Sequence, residues 1–147
     1  MRVQLSIDSA SATKELASRI ATEVHAGDLL LLDGPLGAGK TYFTQALLKA
    51  LGVDAEVTSP TFVMVKSYRG RIPINHIDAY RLLDLANSVQ AFEELDIDLE
   101  NSLTIVEWGA AFDLTGEALH IKIEIGEGEA RTLTLSGADS RWGQLQL

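Results

Sequence analysis

The chain contains no cysteine, which excludes disulfides, thiolate zinc sites and a cysteine nucleophile and fits a cytoplasmic protein. It also lacks long apolar runs: the longest, 29–32 and 62–65, have four residues, far short of a membrane span. A small-residue triplet at 10–12 mimics a cleavage site, but the segment before it alternates polar and apolar residues, so no signal peptide is expected. Basic residues are scarce. Seven Arg and five Lys face 21 acids, for a formal charge of −9. Such a balance repels a phosphate backbone and disfavours direct nucleic-acid binding. Six of the acids (Asp84, Glu93, Glu94, Asp96, Asp98, Glu100) fall in one stretch with no basic residue among them; this is first a solvated face and second a docking surface for a basic partner. The three histidines, His25, His76 and His120, show no zinc spacing.

The 147 residues, 46% apolar and 22% charged, suit one globular domain spanning 1–147. Val3, Leu5 and Ile7 alternate with Gln4, Ser6 and Asp8, as in a half-buried strand. Leu16, Ile20 and Val24 recur every four residues and predict a helix over 11–25, stopped by Gly27. The run 29–32 is apolar on both faces, as in a strand inside a parallel sheet. Residues 34–39 form a glycine-rich turn, and Phe43, Ala46, Leu47, Ala50 and Leu51 then share one helical stripe ended by Gly52. Residues 61–68 and 73–78 read as extended pieces joined by a turn at Arg69, Gly70 and Arg71. The stretch 82–99 reads as mostly helical, 103–106 as a short apolar strand, and 121–125 with 133–135 as a late hairpin. The last ten residues carry no readable pattern.

Gly34, Pro35, Leu36, Gly37, Ala38, Gly39, Lys40 and Thr41 match G-x-x-x-x-G-K-[ST] at every fixed position. Glycines let the backbone wrap phosphates with N–H groups, and the helix that follows offers its positive end. Lys40 would reach the β and γ phosphates and the Thr41 hydroxyl would bind Mg²⁺. A buried strand before the loop and an amphipathic helix after it supply the context the motif demands. Pro35 removes one N–H donor, from the outer rim. Gly37, Ala38, Gly39, Lys40, Thr41 and Tyr42 are therefore the expected nucleotide-binding residues. None of the five lysines sits in a guanine-reading Asn-Lys-x-Asp or Thr-Lys-x-Asp stretch, which favours ATP.

A metal-bound triphosphate also needs an acid at a strand end. Glu107 closes one apolar strand and Asp78 closes an extended segment, and either could hold Mg²⁺ while the other orients water. Thr61, in the hydroxyl-rich Thr58-Ser59-Pro60-Thr61 stretch, is placed to sense a γ-phosphate. Trp108 directly follows Glu107 and is expected to contact the site or simply pack. His76, alone on a strand, reads as structural.

Together these motifs resemble one family, the small bacterial ATPase TsaE of tRNA threonylcarbamoyladenosine biosynthesis. The likeness rests on Gly34 to Thr41, on Ser59-Pro60-Thr61-Phe62, on His76-x-Asp78-x-Tyr80-Arg81 and on Glu107-Trp108. It runs over about residues 11–135. This chain departs from the family's usual pattern at Pro35, where an acid is common, at Tyr42, usually Thr, and at Ala79, usually Leu. The resemblance implies a protein that works with a TsaD-type transferase and a TsaB-type partner and meets tRNA only through them, its ATP hydrolysis resetting the complex between turnovers.

The expected fold is α/β, a phosphate-loop NTPase-like three-layer arrangement with a mixed, mostly parallel sheet and antiparallel hairpins. The expected chemistry is Mg²⁺-dependent ATP hydrolysis with Lys40, Asp78 and Glu107 as catalytic residues and Thr41, Asp78 and Glu107 at the metal. Two alternatives share the phosphate loop: a small-molecule kinase, which would want an arginine-rich lid, and a nucleotide-gated binding module without useful turnover.

Overall fold

The computed structural model describes residues 1–60 and 64–147. The chain begins with β1 (Arg2–Ile7) and α1 (Ala10–Glu23), followed by β2 (Leu29–Asp33) and α2 (Lys40–Ala50). Then come β3 (Val65–Arg69), β4 (Pro73–Asp78), a 3₁₀ turn (Tyr80–Leu82) and α3 (Ser88–Glu93). It ends with β5 (Leu103–Glu107), β6 (Leu119–Ile125), β7 (Arg131–Ser136) and a single turn, α4 (Asp139–Trp142).

All seven strands join one sheet in the order β1-β7-β6-β2-β5-β4-β3. The four central strands, β6, β2, β5 and β4, pair in parallel. Antiparallel pairs flank them: β6 with β7, β7 with β1, and β4 with β3. Residues 29–32 are buried throughout, because a strand in the parallel centre has side chains packed on both faces.

On one face α1 and α2 lie side by side over Leu30, Leu32, Ile105, Ile121 and Leu133. On the other, Leu82, Phe92 and Phe112 cover Leu29, Leu31, Ile77 and Val106, with the Phe92 and Phe112 rings stacked at 4.8 Å. This makes the three-layer α/β arrangement expected from the strand-loop-helix order. Ser9 caps α1 by accepting a hydrogen bond from the Ala12 N–H at 3.2 Å, and Gly52, at φ 85°, follows the end of α2.

The helix expected over 82–99 is a correction. Only six residues of it, α3, are α-helical. Asn87 adopts φ −120° and ψ 52°, outside the helical region, and begins a separate helix. Asp96, at φ 54°, turns left-handed and prevents continuation. All six acids of the stretch are exposed, as a solvated face requires. The extended piece expected over 61–68 is a strand from Val65 onward; Thr61 lies outside the described residues.

The last ten residues do have a structural role. Trp142 is fully buried and its indole N–H donates to the carbonyl of Glu117 at 2.8 Å. Arg141 forks onto Asp28, Nε to Oδ1 at 2.8 Å and Nη2 to Oδ2 at 2.5 Å, and also donates to the carbonyl of Glu23. These contacts fasten the C-terminal turn to the base of β2 and the end of α1. No helix among the described residues is long and apolar enough to cross a membrane.

Candidate functional site

The site forms where β2, β4 and β5 end beneath the start of α2. Gly34 leaves β2 at φ 150°, and a Cβ there would stand 2.5 Å from the carbonyl oxygen of Ile123, so only glycine fits this approach. Gly39 precedes α2 at φ 105° in the left-handed region and, having no side chain, cannot itself cap the helix. The N-cap residue therefore leaves the first N–H groups of α2 open, which is the condition for holding an anion.

Lys40 opens α2 and is 5% exposed. Its ammonium donates to the carbonyls of Gly34 at 2.6 Å and Pro35 at 3.0 Å and lies 3.9 Å from the centre of the Trp108 ring. Burial holds its pKa below the usual lysine value, against the opposing pull of Glu107, Asp33 and Asp78. Trp108 reaches this position because its backbone, at φ 61°, turns back directly after β5; for a residue with a Cβ this conformation costs roughly 1–2 kcal/mol. Tyr80 packs against the same indole at 5.1 Å.

The acids arrive by strand register. Asp78 and Glu107 are paired positions at the ends of β4 and β5. Ile74 and Ile105 belong to the core under α1 and α2, so the two-residue alternation carries His76, Asp78 and Glu107 to that same face. The Thr41 hydroxyl donates to the Glu107 carboxylate, at 2.9 Å from Oε1 and 3.2 Å from Oε2. Asp78 accepts from the Tyr80 N–H at 2.9 Å. Leu36, Gly37, Gly39, Lys40, Thr41, Tyr42, Ser59, Asp78, Glu107 and Trp108 line one open cleft of about 250 Å³. Ala38 is buried behind the loop, where its carbonyl accepts from Arg131 Nε at 3.1 Å.

The described residues contain no group of three or more His, Cys, Asp or Glu able to hold a metal by themselves. A Mg²⁺ ion keeps several waters and needs only one or two protein oxygens together with substrate phosphates. Thr41 and Glu107 supply such oxygens.

Two features escaped the sequence reading. His76, read from the sequence as structural, is fully buried, and its Nε2 lies 2.5 Å from Glu107 Oε2, a contact the sequence does not show. The readable signal was its position two residues before Asp78 on a strand. A second cleft, about 180 Å³, opens on the other flank of the loop between Ala10, Thr13, Ala38, Tyr42, Ile123 and Leu133, with Glu129 and Arg131 at its edge. Tyr42 borders both clefts and donates to the carbonyl of Ala10 at 3.1 Å. Only the tertiary arrangement joins α1, α2 and the β6–β7 hairpin there.

A parallel-centred sheet, a glycine loop leading into α2 and a strand-end carboxylate held by the loop's threonine define a phosphate-loop NTPase-like protein. The family model for "Threonylcarbamoyl adenosine biosynthesis protein TsaE" matches residues 7–133, and the chain belongs to that family. The tRNA threonylcarbamoyladenosine biosynthesis protein TsaE of Streptomyces coelicolor is 41% identical over 140 residues, spanning 88% of this chain and 93% of the relative. The Mycobacterium tuberculosis protein of the same name is 38% identical over 144 residues, spanning 90% of this chain and 82% of the relative. The crystal structure of Bacillus subtilis YdiB superposes with a TM-score of 0.80 at 29% identity, covering 99% of this chain and 91% of that one.

Proposed function

We propose that this chain binds ATP with Mg²⁺ in the cleft at the head of α2 and hydrolyses it in support of tRNA threonylcarbamoyladenosine formation. The observation that carries this reading is the Thr41–Glu107 contact, which joins the phosphate loop to a strand-end acid in the way a metal-bound triphosphate requires. The uncapped start of α2 and the Lys40 ammonium give the phosphates N–H donors and positive charge. Thr41 and Glu107 offer oxygens to the metal, and Asp78 at the neighbouring strand end is free to orient the attacking water. Mg²⁺, when bound, supplies positive charge that offsets the negative charge of the phosphoryl oxygens. The apolar cleft beside Tyr42 suits the nucleobase. Thr61 would report the γ-phosphate.

The partners in this reading are a TsaD-type transferase and a TsaB-type protein, with tRNA reached only through them. A net charge of −9 favours contact with protein over contact with a phosphate backbone. Of the arginines near each other in sequence, Arg71 does not supply a kinase lid, being committed to the carbonyls of Ala21 and Val24, both at 2.9 Å.

The test is turnover of γ-labelled ATP by the purified chain, alone and with the two partner proteins. Free phosphate as the sole labelled product, released faster with partners, supports the proposal. A labelled metabolite acceptor makes the protein a kinase. Nucleotide binding without turnover under either condition makes it a gated binding module. Capture of the partners in ATP but not in ADP would tie association to the nucleotide state.

A further inference from the structure

His76 sits on β4 with none of its surface exposed, and Nε2 lies 2.5 Å from Oε2 of Glu107. Its other ring nitrogen, Nδ1, has no hydrogen-bond partner among the described residues. An approach of this length to a carboxylate oxygen requires a hydrogen between the two atoms. In the neutral ring, that hydrogen belongs to Nε2, and Nδ1 then leaves only a lone pair unmatched. The opposite tautomer would set two lone pairs against each other and strand a buried N–H. Buried polar groups are ordinarily paired on all their strong donors, so the ring donates from Nε2 to Glu107.

This donation divides the carboxylate. Oε2 is held toward β4 by His76 and lies 3.2 Å from the Thr41 hydroxyl, while Oε1, untouched by His76, is the nearer oxygen to that hydroxyl at 2.9 Å. Among the described residues Asp78 shows no such tether to a neighbouring strand: its Oδ1 accepts from the Tyr80 N–H within its own turn. The two acids, equivalent as strand ends in the sequence, are unlike in the fold.

We propose that His76 is a positioning residue that fixes Glu107 with Oε1 turned to Thr41, so that Glu107 serves the divalent cation and Asp78 is left to the water. The inference rests on reading the cleft as a Mg²⁺-nucleotide site. Groups that orient a metal-binding carboxylate from behind typically change metal affinity by about 10–100-fold when lost. A histidine kept only for packing would instead affect stability, or nucleotide binding with and without metal alike.

The experiment is calorimetric titration with the non-hydrolysable analogue AMP-PNP, in EDTA and across a series of Mg²⁺ concentrations. For His76→Leu, the Mg²⁺ needed for half-maximal enhancement of binding should rise about tenfold or more, with affinity in EDTA unchanged. His76→Gln, whose amide can donate from nearly the same point as Nε2, should recover most of the loss. Should His76→Leu fail to fold, His76→Asn carries the same comparison, since its shorter amide falls short of Glu107. An unshifted Mg²⁺ requirement in the Leu or Asn variant overturns the proposal, as does an equal loss with and without Mg²⁺. If the wild-type chain binds AMP-PNP with no response to Mg²⁺, the Mg²⁺-nucleotide reading itself fails and this proposal goes with it. If wild type responds and the variants match it, only the role of His76 is lost.

Discussion

The hydroxyl of Thr41 donates to the carboxylate of Glu107 across 66 residues of sequence, at 2.9 Å from Oε1. The contact joins the first turn of α2 to the end of β5, linking the phosphate loop to the strand-end acid. Its loss should separate chemistry from binding.

Glu107→Ala should slow ATP turnover by about 100-fold or more, since removing an acid that acts in the transition state typically costs this much. Nucleotide affinity in EDTA should stay near wild type, while the Mg²⁺ needed to enhance binding should rise. Trp108 lies against Lys40, so its fluorescence should respond to ATP with Mg²⁺, read in a Trp142→Phe background. Glu107→Ala should keep the fluorescence change while losing turnover. Normal turnover would transfer the leading role to Asp78.

Lys40→Met should lower turnover by about 10²-fold or more, the loss typical of removing one preorganised charge-stabilising donor, and should weaken ATP binding, because the ammonium supplies positive charge to the phosphates. The apo protein should melt no lower than wild type. Burial lowers the Lys40 pKa, so at neutral pH its ammonium opposes folding. That cost is present below the folded-state pKa and fades as pH rises through it. Any gain in melting temperature for Lys40→Met should therefore shrink in alkaline buffer. Thermal melts at neutral and alkaline pH, beside an ATP titration, check both halves.

Arg141→Ala should be strongly destabilising although it lies far from the cleft. Asp28, 9% exposed, would lose a two-pronged partner and remain buried with its charge. Breaking such a pair from one side costs about 3–5 kcal/mol when fully buried. Arg141 is partly open to solvent, so about 2–3 kcal/mol is expected, or roughly 5–10 °C in Tm. The double variant Asp28→Asn, Arg141→Ala should recover part of the loss, because no buried charge is then stranded. Urea unfolding of the wild type and the two variants decides it.

Asp113→Asn should cost about 1 kcal/mol at neutral pH, the worth of a typical buried hydrogen bond. Burial pushes the Asp113 carboxyl up, but hydrogen bonds from His120 and from the N–H groups of Ala118 and Gly116 outweigh it and hold the pKa below the ordinary 3.8. The sign follows from linkage: a depressed carboxylate stabilises fully above its unfolded value and loses that contribution as pH falls through the folded one. The difference between Asp113→Asn and wild type should be constant near neutrality and shrink below pH 3.8. Urea titrations at several acidic pH values measure it.

The loop from Gly34 to Thr41, the strand 29–32 before it and the helix after it were legible because their signals are local. Glycine spacing, apolar runs and helical periodicity act within a few residues, and nothing distant overrode them. Asp78 and Glu107 were legible as strand ends, but not their unlike surroundings, which depend on which neighbour reaches each carboxylate across the sheet. The same holds for His76, whose partner lies on another strand. It holds too for Trp142 and Arg141, whose contacts at Glu117 and Asp28 come from distant turns. Residues 82–99 misled because their apolar positions pack Phe92 and Leu82 against the sheet as separate short turns, with left-handed Asp96 closing α3. Local chemistry therefore determined where a phosphate could bind. The parallel register of β4 with β5, which brings residues far apart in sequence within hydrogen-bonding distance, decided which acid faces Thr41.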